Sequence, residues 1–203
     1  MAVTFKSKSA FAGNRPCFQV QPVLNEVMGY MLENAPAEGE IVPMGTPIVA
    51  DSKAKTAKIC KYAVIEKKVD AKTFIVQQIG FFSVGDNVFV SGGAVLSVIA
   101  SIDENTKTIT LKANNAELEA GKVILEGVSE TVSEQQVLKA VSIPNRIVAH
   151  SAIVKVNDKT VSAAFKAVAI QNVLNYPQEW LNDETFPGST LLKGNPHIFF
   201  VNQ

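Results

Sequence analysis

Cysteine is scarce in this chain. Only Cys17 and Cys60 occur among 203 residues, and at this size and composition the pair reads as two reduced, partly buried thiols rather than a disulfide. Histidine is equally sparse: His150 and His197 lie far apart and neither stands in a CxxC or HxxxH setting, so no metal pattern is offered. Neither sign of charge is in excess. Nineteen basic residues balance 19 acidic ones, which supplies no long-range field for a polyanion and disfavours nucleic acid as a partner. Neutrality also does little to hold copies apart, which suits a protein that assembles. No run approaches the ~18 apolar residues of a membrane span, and Met1–Ser9 lacks the continuous apolar stretch of a secretory signal. The expectation is a soluble protein made in a cytoplasm, with no membrane partner.

What is present is a 47% apolar, 19% charged chain, enough to bury a core as one large domain or two small ones. Residues 1–39 read as an amino-terminal arm followed by a short helix. Gly13, Asn14 and Pro16 break regular structure in the arm, while Val23, Val27 and Tyr30/Met31 fall at helical spacing. Two readings of the arm stand. It is a tail packed over its own domain, or an anchor that uses Phe5, Phe11, Arg15 and Phe18 on a partner's surface.

From residue 40 to 127 the character is strand and turn. Gly45–Asp51 reads as a turn feeding a short strand, and Ala57–Ile65, Thr73–Gln77, Val84–Val90, Ala94–Asp103, Thr106–Leu111 and Val123–Leu125 carry β-branched and aromatic residues between Gly, Asp and Asn punctuation. In Thr106–Leu111, Ile109 and Leu111 point one way and Thr108 and Thr110 the other. Asn114–Gly121 reads as a single helical turn closed by glycine. Residues 128–142 are more polar and read as a connection. Residues 143–203 form a β-rich, loop-rich region, either a second small domain or the completion of the first, with Thr160–Gln171 fitting helix or strand alike. The predicted fold is mainly β: a small antiparallel β-barrel or sandwich with one or two short helices and a loop-rich carboxy-terminal region.

Candidate chemistry is thin. Ser151 follows His150, but neighbours on a strand face opposite sides and do not form a nucleophile–base pair, and no GxSxG elbow occurs. Glu33, Glu38, Asp51, Asp86, Asp103 and Glu104 could pair as acid and base, yet they sit mainly in predicted turns, where such side chains bond backbone amides. Ser91-Gly92-Gly93 joins two strands and reads as a hairpin turn or bulge rather than a phosphate loop. The lysines of 53–58 read as a guarded strand edge. Trp180, beside Tyr176 and Pro177, is a packing anchor or a sugar-stacking patch. No catalytic, metal-binding or cofactor-binding residues are assigned.

Three stretches carry a family resemblance. They are Glu40-Ile-Val-Pro-Met-Gly-Thr-Pro-Ile-Val-Ala-Asp51 with the following strand to Ala63-Val-Ile65; Val84-Gly-Asp-Asn-Val-Phe through Val98–Leu111 to Ala120-Gly-Lys-Val-Ile-Leu125; and Leu191-Leu-Lys-Gly-Asn-Pro-His-Ile-Phe-Phe-Val201. Together they resemble head fibre and head decoration proteins, the auxiliary capsid proteins of tailed bacteriophages, chiefly over residues 40–126. The resemblance implies a virion protein on the capsid exterior, bound to the major capsid protein, homo-oligomeric and commonly a trimer, without catalysis or cofactor. On that reading Phe5, Phe11, Arg15 and Phe18 form the capsid-docking arm. The alternatives are a tail or baseplate module that binds glycan near Trp180, and a small hydrolase built on the carboxylates.

Overall fold

The computed structural model describes residues 18, 24–25, 29–132, 135–182 and 189–202. The chain is mainly β, as its alternation predicts. Six strands close a ring in which every neighbour is antiparallel: Tyr62–Lys68, Thr73–Val76, Thr108–Leu111, Ser97–Asp103, Asn87–Val90, Val123–Val132, and back to Tyr62–Lys68. Period-two side chains from each strand fill the interior, among them Ile65, Phe74, Val90, Ile99, Ile109 and Ile124. Ile109 and Leu111 are buried there, and Thr108 and Thr110 are half-exposed on the other face.

One wall of the barrel is buried on both faces, which explains its unbroken apolar runs Val88-Phe89-Val90 and Val123-Ile124-Leu125. Val88, Val90 and Ile124 point into the barrel. Phe89 and Leu125 point outward into a second core shared with Trp180, Tyr176 and Phe200. Gly127 makes this fit possible, because a Cβ there would stand 2.2 Å from the Phe89 ring.

The second core is roofed by a ten-stranded sheet that draws on both ends of the chain. Its order is Thr160–Val161, Tyr30–Leu32, Thr56–Ile59, Pro47–Asp51, Arg146–Val148, Ala163–Ile170, Asn195–Val201, Ser189–Leu192, Leu181–Asn182, with Leu24–Asn25 also pairing to Ala163–Ile170. A third core on its other face gathers Tyr30, Leu32, Ile48, Ile59 and Val148. Ile41–Val42 and Ala152–Ile153 form a separate pair. The barrel is thus inserted between Ile59 and Arg146 of the larger sheet. Of residues 41–59, grouped with the barrel on sequence, Ile41–Val42 and Pro47–Asp51 pair with strands after residue 143, and Thr56–Ile59 pairs with Pro47–Asp51 and Tyr30–Leu32, so none of these strands joins the barrel.

Several local expectations are corrected. The segment read as a helix from Pro22 contains the strands Leu24–Asn25 and Tyr30–Leu32. Tyr30 and Leu32 are buried while Met31 is 56% exposed, a period of two imposed by the flanking strands Thr56–Ile59 and Thr160–Val161. Val23 and Val27 lie outside the described residues. Asn114–Gly121 is a pair of turns rather than a helical turn, with the buried Asn115 side chain accepting the Glu117 N–H at 2.9 Å. The run Ala57–Ile65 is two strands in two sheets, broken at Cys60-Lys61. Thr160–Gln171 resolves as the strands Thr160–Val161 and Ala163–Ile170, with Gln171 opening a helix, and the described helices are Gln171–Leu174 and the 3-10 turn Gln178–Trp180. Within residues 128–142 stands the outer half of a hairpin, Val123–Val132 against Gln135–Ala140.

Candidate functional site

The seam between barrel and sheet is aromatic. Tyr62 opens the first barrel strand, and its ring packs edge-on to Tyr176 and Trp180 with centroids 5.4 Å away in each case. Tyr176 meets Trp180 at 5.6 Å and Phe200 at 5.3 Å. Each tyrosine hydroxyl donates to a backbone carbonyl, Tyr62 to Leu174 at 2.8 Å and Tyr176 to Gly45 at 2.6 Å. Trp180 is 1% exposed, so neither ring face is open to a sugar. Its role is packing, and the glycan patch drawn around it is withdrawn.

Beside this seam lies a cleft of about 60 Å³, lined by Thr46, Cys60, Tyr62, Phe81 and Asn175 among others. Phe81 and Asn175 hold φ of 66° and 50°, a region side chains adopt at a cost. Cys60 is free and buried. Burial pushes its thiol pKa well up and the Glu126 charge adds to this, only partly offset by a hydrogen bond from the Val49 backbone. A thiol so held stays protonated and is a poor nucleophile. Cys17 lies outside the described residues.

The acidic side chains are engaged in holding turns. Asp51 accepts the Lys53 and Ala54 N–H groups, Asp70 those of Lys72 and Thr73, Asp103 those of Asn105 and Thr106, and Asp158 that of Thr160. Backbone donors hold the Asp51 and Asp70 carboxyls below the usual range; for Asp103 and Asp158 the Thr106 and Thr160 hydroxyls lead, with backbone N–H groups second. Folded values below unfolded ones make each contribution to stability fully present above the ordinary carboxylate pKa and lost as pH falls through the lowered values. The urea midpoint is therefore expected to hold steady down to about pH 4 and to fall below it. A chain with all four changed to Asn, whose amide oxygen accepts but does not titrate in this range, is expected to show a shallower fall. Urea titrations across the acid range check this, and equal slopes in the two proteins would contradict it.

Two glutamates perform a longer-range version of the same task. Glu179 accepts the Ser91 hydroxyl at 2.6 Å and the Gly92 N–H at 2.8 Å, while Glu117 accepts the Ala94 and Val95 N–H groups at 2.8 and 3.3 Å. The Ser91-Gly92-Gly93 turn thus directs donors at the chain's own carboxylates. Sequence reading missed both glutamates, because the partners are remote in the chain and share no periodic signal.

Lys61 is the remaining cluster. Its Nζ lies 2.7 Å from Asp86 Oδ2 and 3.4 Å from Glu126 Oε1, and the three side chains are 17%, 15% and 26% exposed. Asp86 also accepts the Ser83 N–H at 2.7 Å. Asp86 and Glu126 do approach one another, but through a cation that compensates both, and neither lines the cleft. Lys61→Met is expected to cost about 1–3 kcal/mol by leaving two half-buried carboxylates without their cation. Adding Asp86→Asn should recover part of that loss in a double-mutant cycle read by urea unfolding.

The other sequence candidates are dispersed. Ser151 accepts the Met44 N–H at 2.9 Å, and His150 Nδ1 shares a 3.3 Å hydrogen bond with the Ser162 hydroxyl, so His150 and Ser151 have separate partners. Glu33 pairs with Lys58 at 3.1 Å on the surface, and Glu38 and Glu104 are exposed. Phe18 bridges to Ala169 and is 8% exposed within the second core. It packs over its own domain and is not presented as an anchor. Phe5, Phe11 and Arg15 lie outside the described residues. Among the described residues no group of three His, Cys, Asp or Glu is placed to hold a metal ion, and no helix is long and apolar enough to cross a membrane. Compared with protein-family models, with curated proteins and with solved structures, the chain matches none.

Proposed function

We propose that this chain is a structural protein of a virion, seated on the outside of a capsid by contact with the major capsid protein and without a catalytic role. The observation that carries the reading is the use made of polar side chains. Asp51, Asp70, Asp103, Asp158, Glu117 and Glu179 all accept backbone N–H groups of turns. Rigid, internally satisfied loops on a barrel and sheet suit a module whose working parts are its outer surfaces. The resemblance in Val84–Leu125 supports the same reading, since those residues supply most of the closed barrel.

The test is co-sedimentation of the purified protein with assembled empty heads, followed by labelling of whole particles. Saturable binding to heads and label over the capsid are expected. Label confined to the tail end, or protein left in the supernatant, would overturn the proposal.

A further inference from the structure

A fold made of strands must deal with its edges, because unpaired N–H and C=O groups along an edge invite another strand. Here the barrel closes on itself. Among the described residues, the large sheet ends on two-residue strands, Thr160–Val161 and Leu181–Asn182. The six-residue strand Gln135–Ala140 is different: among the described residues it pairs with Val123–Val132 on one side and with nothing on the other.

The phase of its hydrogen bonds shows what this edge offers. The Val141 N–H donates to the Glu126 carbonyl, and the register runs Val128↔Lys139 and Glu130↔Val137. Hydrogen-bonded pairs alternate along an antiparallel ladder, so residues 137, 139 and 141 bond inward. The N–H and C=O groups of Gln136, Leu138 and Ala140 therefore face away from the hairpin. The opposite edge of the hairpin exposes only those of Ser129 and Thr131 in the same way. Lysine ordinarily guards an open edge. Lys139 does not, because its Nζ is drawn back over the inner strand to Glu130 at 2.6 Å.

We infer that Gln135–Ala140 is a self-association edge, and that its partner is the same strand of a second copy, paired antiparallel about Leu138. This register brings Leu138 opposite Leu138 of the second copy and Gln136 opposite its Ala140, the hydrogen-bonding positions on both sides. On the outer face Lys139 meets Val137 of the other copy, so no like charges oppose one another. Val128 and Val137, 36% and 41% exposed, continue as a stripe across the four-stranded sheet that results. A chain of zero net charge adds no general repulsion between copies. The contact is isologous, with each copy contributing the same edge.

Val137 is exposed and outside the cores, so it can be changed without harm to the monomer. Val137→Lys would set lysine against Lys139 of the second copy twice over, whereas Val137→Glu would give each Lys139 a cross-strand partner. Light scattering up to millimolar chain is expected to give twice the 21.8 kDa chain mass for the parent and for Val137→Glu, and the single-chain mass for a folded Val137→Lys. Amide exchange at Gln136, Leu138 and Ala140 is expected to be at least tenfold slower in the parent than in Val137→Lys. A monomeric parent, a trimeric one, or equal behaviour of the two variants would overturn the inference. The inference does not rest on the capsid reading: heads could bind a chain that fails this test, and the reverse.

Discussion

Trp180→Ala is expected to lower stability by about 3–5 kcal/mol, and the melting temperature by ~10 °C or more. The indole is 1% exposed, touches the rings of Tyr62 and Tyr176, and belongs to the core shared by the barrel wall and the large sheet. Truncation leaves a cavity at the seam where three stretches of chain meet. The barrel keeps its own interior of Ile65, Phe74, Ile99 and Ile109, so the damage should fall on the sheet and its docking. Unfolding is therefore expected to lose cooperativity, with the barrel surviving to higher denaturant. Trp180→Phe separates packing from polarity. Among the described residues the buried Trp180 Nε1–H has no hydrogen-bond partner, a state that costs about 1–3 kcal/mol. Phenylalanine retains much of the ring contact and removes that donor, so its loss should be well under half that of alanine. Urea unfolding followed by circular dichroism decides the matter. An alanine variant within 1 kcal/mol of the parent would mean that the seam is not cooperative.

The barrel was legible in the sequence because its signals are local. Thr106–Leu111 shows one wet face and one dry one, and Asp103 closes the preceding turn through the N–H groups of Asn105 and Thr106. Three of the six antiparallel pairings in the ring join strands consecutive in the chain. The larger sheet was not legible, because its neighbours come from opposite ends. Tyr30–Leu32 is a strand only because Thr56–Ile59 and Thr160–Val161 flank it, and without them the apolar spacing fits a helix equally well. Ala57–Ile65 hid a crossover between sheets, since the break at Cys60-Lys61 carries no glycine, proline or other turn residue to mark it. The polar constellation was invisible for a related reason. Lys61 meets Asp86 and Glu126 only once the barrel has closed, and Glu179 meets Gly92 only after barrel and sheet are assembled. The turn role of Asp51 and Asp103 needed no such assembly and was legible from the residue type alone. Phe18 shows the limit of composition: scattered aromatics do not reveal whose core they enter.

Gly80→Ala is expected to be among the most damaging single-methyl changes in the chain, at roughly 3 kcal/mol or more. Gly80 holds φ of +68° in the turn Ile79–Phe82, where the Phe82 N–H donates to the Ile79 carbonyl. An added Cβ would stand 1.9 Å from the Tyr62 carbonyl oxygen and 2.8 Å from its carbon. Both are backbone atoms, so no rotamer change relieves the overlap. The left-handed conformation alone costs an alanine about 1 kcal/mol, and displacement of the first barrel strand must supply the rest. That displacement reaches the aromatic seam, because Tyr62 carries both the clashing carbonyl and the hydroxyl bonded to Leu174. Gly85→Ala isolates the conformational part: Gly85 holds φ of +95° with nothing within 4 Å of an added Cβ. It should lose about 1 kcal/mol and leave the seam intact. Near-ultraviolet circular dichroism of Tyr62, Tyr176 and Trp180 should change in Gly80→Ala and not in Gly85→Ala. Equal unfolding midpoints for the two variants would show that the turn moves freely away from Tyr62, and that the barrel and sheet are joined less tightly than these contacts require.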